Sequence, residues 1–462
     1  MPDSPSNPNT KPLHQIHKEQ IRKLEALFLN QIDGLHWFYF DLNLKVDGPN
    51  PVDYRTVSKK NEAWLDRIKE ESNGSFKFVS AANTKEKDLP GIILEHLILF
   101  LRKYQNAPRR ILQRIFDENS PSVLNQSQAE EGLMGKANFE NEKDRKEEFD
   151  KRIRSKIFRE KGKSILVEGD SWFQHPPVQL LGDSVKDIID WLIEDNPNYA
   201  VYSMAAGGDW LSNMIKTTDY ISMLDRISPD AFLFSGGGND MMGGYRPAKL
   251  IRKKFRNGNF QETENDEVLG KSKARLLKLR NGTSSSNVFD EEKYKRGLKF
   301  LSLEFFNFLN ITMSQYYLLV TELSNLKRFN HIKFITQGYD FAIPSPRKAS
   351  RIKVRNRLLN NFMNSGRWLH DPMVLKGIFD PEDQESIAYA MVWEFNEMLI
   401  MLSEHFDNLY HIDCRGTANS EDDWFDEIHL KSHAFQKIAD TFQTCIESGD
   451  KTKKVYRVVD HN

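Results

Sequence analysis

Cysteine is scarce: Cys414 and Cys445 are the only two in 462 residues. Two thiols make no disulfide framework, which suits a reducing compartment and two inert, buried side chains. Long apolar runs are missing as well. No stretch approaches the ~18 apolar residues of a membrane-spanning helix, and the opening MPDSPSNPNTKPLHQ lacks the basic start and apolar stretch of a secretory signal. The expectation is a soluble, cytoplasmic chain with no transmembrane segment. Charge of one sign is not in excess either. The 65 Lys and Arg balance 66 Asp and Glu, a net charge of -1, so nothing global points to nucleic acid as a partner. Missing strings narrow the chemistry further. There is no GxSxG elbow, no GxxxxGK[ST] phosphate loop, and no HExxH string or cysteine cluster for zinc.

What is present is an ordered set of four short motifs: GDSW at 169–172, GGDW at 207–210, GGND at 237–240 and DEIH at 426–429. Each of the first three follows an apolar run, so each falls where a buried strand would end and a ligand crevice would open. Serine-based acyl transfer needs a nucleophile, a base, a group that holds the base, and donors for an oxyanion. Ser171 supplies a hydroxyl at a turn after a strand. His429 supplies an imidazole that titrates near neutrality, and Asp426, three residues earlier, can reach its other ring nitrogen. The Asp assignment stays open, because Glu421, Asp422, Asp423 and Glu427 crowd the same loop. The amides of Ser171 and Gly208 and the side chain of Asn239 are the candidate oxyanion donors, with Gly207 able to exchange roles with Gly208. Asp170 and Asp240 read as loop-holding carboxylates. Trp172, His175 and Asp340 are candidate substrate contacts, and His433 is a competing histidine that reads as a capping or surface residue.

In this order the motifs resemble those of the SGNH hydrolases, the GDSL-type esterases and lipases. That family takes Ser from a GDS block, Gly from a second block, Asn from GxND and His from DxxH. Ser171, Gly208, Asn239 and the Asp426/His429 pair stand at the matching positions, and the resemblance covers roughly residues 163–449. Trp172 replaces the Leu that often closes the family's first block. QGYDFAIP at 337–344 is similar to a segment of some bacterial members. The resemblance implies a Ser-His-Asp triad acting on an acyl ester without cofactor or metal. It also implies a flavodoxin-like three-layer α/β/α sandwich on a mainly parallel five-stranded sheet.

The chain's own patterning agrees with α/β alternation. Candidate strands are 164–168, 200–204, 231–235, 331–336 and 409–413, with helical patterns between them, which calls for parallel crossovers. Residues 1–12 read as a disordered tail, 13–118 as a smaller mixed or α-rich accessory domain and 119–155 as a polar linker ending in a solvated charged helix. The hydrolase domain then runs over 156–449, followed by a tail at 450–462. Insertions at 246–330, containing a long helix-like run from 291 to 327, and at 345–385 should emerge beside the site.

Residues 246–300 hold 15 Lys and Arg against 7 Asp and Glu, and 347–357 hold six basic residues and no acid. An anionic acyl lipid fits such a rim, as does a solvated positive face. Two rival readings remain. One is a regulated effector or binding protein whose hydrolase domain is controlled through a protein partner at 13–118. The other is a metal-dependent phosphoesterase, which would need an upstream DxH that this chain lacks before Gly169.

Overall fold

Apolar runs become strands here because a parallel sheet is covered on both faces, so no alternation with polar residues is required. The computed structural model describes residues 138–139, 141–175, 185–217, 219–243, 246–261, 266–280, 288–324, 326–345 and 368–461. The expected accessory region at 13–118 and tail at 1–12 lie outside the described residues. Six strands form one all-parallel sheet in the order β2-β1-β3-β4-β5-β6. They are β1 (Lys163–Gly169), β2 (Tyr199–Ser203), β3 (Ala231–Ser235), β4 (Lys333–Gln337), β5 (Leu409–Asp413) and β6 (Val455–Arg457). Ile165 pairs with Val201 on one side and Ala231 on the other. The chain moves outward from β1 to β2 and then returns to place β3 on the opposite side. That reversal opens a crevice at the carboxyl ends of β1 and β3.

The expected count of five strands is corrected to six. β6 has three residues with a single buried side chain, Tyr456, and so short a run carries no periodicity. Pairing decides it: Tyr456 stands beside Ile412 of β5.

The helices used below are α1 (residues 141–153), α2 (Ile188–Asp195), α3 (Leu211–Thr217), α4 (Asp219–Ile227), α5 (Gly238–Met242), α6 (Asp266–Arg280), α7 (Glu291–Leu298), α8 (Leu303–Ser324), α9 (Pro381–His405) and α10 (Ser432–Glu447). α2 packs against α10, whereas α3, α8 and α9 pack as a second group. Sequence signals set their starts. Asp187 closes a capping box on α2, and Asp380 caps α9 with Pro381 in its first turn. Among the described residues no helix is long and apolar enough to cross a membrane.

Two helical expectations change. The run at 291–327 is broken between α7 and α8, because Ile251 bridges Leu301: Arg252 N donates to Phe300 O at 2.8 Å and Ser302 N to Leu250 O at 3.0 Å. Helix α1 is not simply solvated. Its Phe149 meets Tyr202 edge-on at 5.3 Å, and its Arg145 is buried.

Candidate active site

All four motif loops leave the carboxyl edge of the sheet, and hydrogen bonds beyond the strand ends draw them together. Asp170 N donates to Ser235 O at 3.1 Å, and Ala206 N to Gly169 O at 2.9 Å. The GDSW loop is therefore laced to the β3 edge on one side and to the GGDW loop on the other. Asn239 Nδ2 donates to Asp209 O at 2.8 Å, and Asp240 Oδ2 accepts from Leu211 N at 2.8 Å. The GGND turn thus grips the GGDW turn directly.

Ser171 and His429, 258 positions apart, and Asp426, three residues before His429, form one chain of contacts. Ser171 Oγ lies 2.7 Å from His429 Nε2, and His429 Nδ1 lies 2.8 Å from Asp426 Oδ2. A carboxylate can only accept, so Nδ1 carries the proton and Nε2 is the acceptor for the serine hydroxyl. Burial opposes charge on the His429 ring, but the Asp426 carboxylate outweighs it and raises the imidazole above its ordinary value. Burial likewise opposes charge on Asp426, while His429 and the amides of Ile428 at 2.9 Å and His429 at 2.7 Å hold it below the usual range. Such a pair can take a proton from Ser171 and return it.

The crowded acidic loop is sorted by partners. Asp423 Oδ1 holds His433 Nε2 at 2.7 Å on the surface. Glu427 is buried and accepts from the amides of Ser345 at 2.7 Å, Leu369 at 2.7 Å and His370 at 3.1 Å, with burial lifting it to about 7. Only Asp426 among these acids meets His429.

Ser171, Asn239, Trp172, Asp340, Tyr339 and Ile428 line one small cavity. Trp172 is buried, donates from Nε1 to Ile428 O at 3.0 Å, and meets Tyr339 and Phe435 edge-on. It joins the serine loop to the histidine loop. Asp340 spends its carboxylate on the amides of Phe341, Gly416 and Ala418, at 2.7 to 2.8 Å. His175 packs edge-on against the His429 ring at 5.0 Å, behind the triad-like chain.

Gly208 has φ +83 and is exposed at the turn, where a side chain would be strained. The amide of its neighbour Gly207 is already engaged by Asn138 Oδ1 at 3.0 Å. That leaves Gly208 as the better placed of the two for an incoming oxygen.

Sequence reasoning passed over Tyr339 and Asn138. Tyr339 donates to Asp170 Oδ2 and accepts from Gly238 N at 2.9 Å. A Cβ on Gly238 would sit 2.6 Å from the Tyr339 ring, so glycine is needed for this approach. Asp170 also takes Trp172 N at 3.1 Å and Ser235 Oγ at 3.3 Å, and burial lifts it to about 6. Tyr339 lies within QGYDFAIP, next to Asp340, and both line the cavity that holds Ser171.

Part of the basic excess of 246–300 is matched by acids from the region 380–397. Lys254 pairs with Asp383 at 2.8 Å, Lys293 with Glu385 at 3.0 Å and Arg296 with Asp380 and Asp383 at 2.6 and 2.7 Å. Lys254, Lys293, Arg296, Asp383 and Glu385 line a cleft of about 1020 Å³ that contains neither Ser171 nor His429. The six basic residues of 347–357 lie outside the described residues.

No family model matches the chain, and no curated protein or solved structure matches it.

Proposed function

We propose that this chain is a serine hydrolase of acyl esters, of the SGNH type, built on a flavodoxin-like three-layer sandwich. The observation that carries the reading is the continuous path from Ser171 Oγ to His429 Nε2 at 2.7 Å and from His429 Nδ1 to Asp426 at 2.8 Å, beside a cavity shared with Asn239.

In this mechanism Ser171 Oγ attacks the ester carbonyl carbon as its proton passes to His429 Nε2. The imidazolium so formed is stabilised at Nδ1 by Asp426. The carbonyl oxygen becomes an oxyanion facing the amides of Ser171 and Gly208 and the second hydrogen of Asn239 Nδ2, whose first is given to Asp209 O. His429 then delivers its proton to the departing alcohol oxygen, leaving an acyl-Ser171 ester. Water enters by the same route: His429 takes its proton, the hydroxide adds to the acyl carbon, and Ser171 leaves with the proton returned. Each step uses neutral donors or a recycled proton.

A fluorophosphonate probe tests this. Wild type should be labelled and Ser171→Ala should not, with ester turnover reduced about a million-fold in the variant. Equal labelling of both proteins sinks the assignment of the nucleophile.

A further inference from the structure

We infer that Asn138, upstream of every motif, is a positioning residue that aims the Gly208 amide into the oxyanion site; the inference rests on the serine-hydrolase reading above. Asn138 grips the peptide of Gly207 from both ends. Its Oδ1 accepts from Gly207 N at 3.0 Å, and its Nδ2 donates to Gly207 O at 3.2 Å. The carbonyl of Gly207 and the N–H of Gly208 belong to one planar, trans peptide unit, so they point in opposite directions. Holding Gly207 O therefore sets where the Gly208 N–H points. A Gly-Gly peptide needs such a hold more than any other, because neither residue has a Cβ to resist rotation of the plane.

The same side chain reaches the nucleophile loop. Gln174, fully buried and three residues after Ser171, donates from Nε2 to Asn138 Oδ1 at 2.9 Å. Seven residues further on, in α1, Arg145 repeats the arrangement. It donates to Phe173 O at 2.7 Å and to both oxygens of Asp187 at 2.7 and 2.8 Å, and Asp187 in turn accepts from His175 N at 2.9 Å. Asn138 and α1 thus act as a strap across the nucleophile loop and the oxyanion loop. The strap is part of the working site, and whatever displaces residue 138 turns the Gly208 donor away.

The experiment uses the full chain. Asn138→Ala removes both contacts to Gly207 and the one to Gln174, whereas Asn138→Asp keeps an acceptor for Gly207 N and Gln174 and replaces the donor to Gly207 O with a carboxylate oxygen that repels it. Losing one oxyanion donor outright costs about 100- to 1,000-fold in rate, so misaiming one should lower kcat by about 10- to 100-fold in both variants. KM is expected to stay within about twofold, because no contact to the ground-state substrate is removed. Phe139→Ala, an exposed neighbour on the same turn, should retain wild-type kcat. Wild-type kcat in Asn138→Ala, or full rescue by Asn138→Asp, overturns the inference and leaves the hydrolase reading standing. Absence of probe labelling in wild type removes that reading first, and the inference with it.

Discussion

Two buried polar networks in this molecule look alike by burial and behave differently. One is the Ser171, His429 and Asp426 chain at the sheet's carboxyl edge. The other lies among α6, α7, α9 and the end of β5. There Arg280 grips Glu394 at 2.9 and 3.0 Å and Glu397 at 3.0 Å, Tyr294 donates to Glu394 at 2.7 Å, and Arg415 bridges Glu397 and Asp413 at 2.8 Å while lying over the Trp393 ring. The second network pairs the guanidinium groups of Arg280 and Arg415 with carboxylates, and adds the Tyr294 hydroxyl as a further donor to Glu394. The first contains a neutral imidazole, a hydroxyl and one carboxylate, so a proton can move along it and leave it satisfied. Burial marks both. What separates a candidate site from a structural lock is an exchangeable proton beside a cavity.

That contrast can be broken by substitution. The largest effect is expected at Asp426→Asn, which preserves shape but supplies an amide in place of an acceptor and leaves His429 in the wrong tautomer. kcat should fall about 10,000-fold, measured by steady-state turnover, with the melting temperature little changed. Loss of less than tenfold would detach Asp426 from the mechanism.

Removing one partner from the other network should invert the pattern. Glu394 is fully buried and Arg280 nearly so, and stranding a buried charge costs about 3 to 5 kcal/mol. Glu394→Ala is therefore expected to lower unfolding free energy by that amount in urea titration. The kcat per folded, probe-labelled molecule should remain that of wild type. A selective fall in kcat instead would mean that the two networks are coupled.

The smallest effect separates two histidines. His411, buried within β5, is held down to about 3 by desolvation despite Asp413 nearby, so it stays neutral across the working range. His429 is raised above 6.5 once the Asp426 contribution overcomes burial. The base must be neutral to act, so kcat/KM should fall about tenfold for each pH unit below a midpoint that lies above 6.5. The midpoint should move down in Asp426→Asn. A wild-type midpoint well below 6.5 would contradict the raised imidazole.

Legibility in the chain follows from whether a residue's role depends on near neighbours. Strands β1 to β5 were readable because parallel strands are continuous apolar runs, with ends misplaced by a residue or two. β6 was not, since three residues acquire strand character only by pairing with β5. Ser171, Asn239 and His429 sit in short motifs whose spacing is local. Asp426 could not be told from four neighbouring acids until Asp423 was found with His433 and Glu427 with three amides. The choice between Gly207 and Gly208 likewise needed Asn138, a residue 69 positions away.

Composition, periodicity and motif order were enough to specify an α/β chain with its candidate chemistry at strand ends, because backbone pairing and hydrophobic burial act on every run of the right length. They could not specify which carboxylate meets His429, which glycine amide remains available, or that α1 packs onto the loop that follows Ser171. Those outcomes depend on directional hydrogen bonds about 3 Å long, many of them between residues distant in sequence. Directional contacts of that kind leave no periodic trace, and folding alone brings their partners within reach.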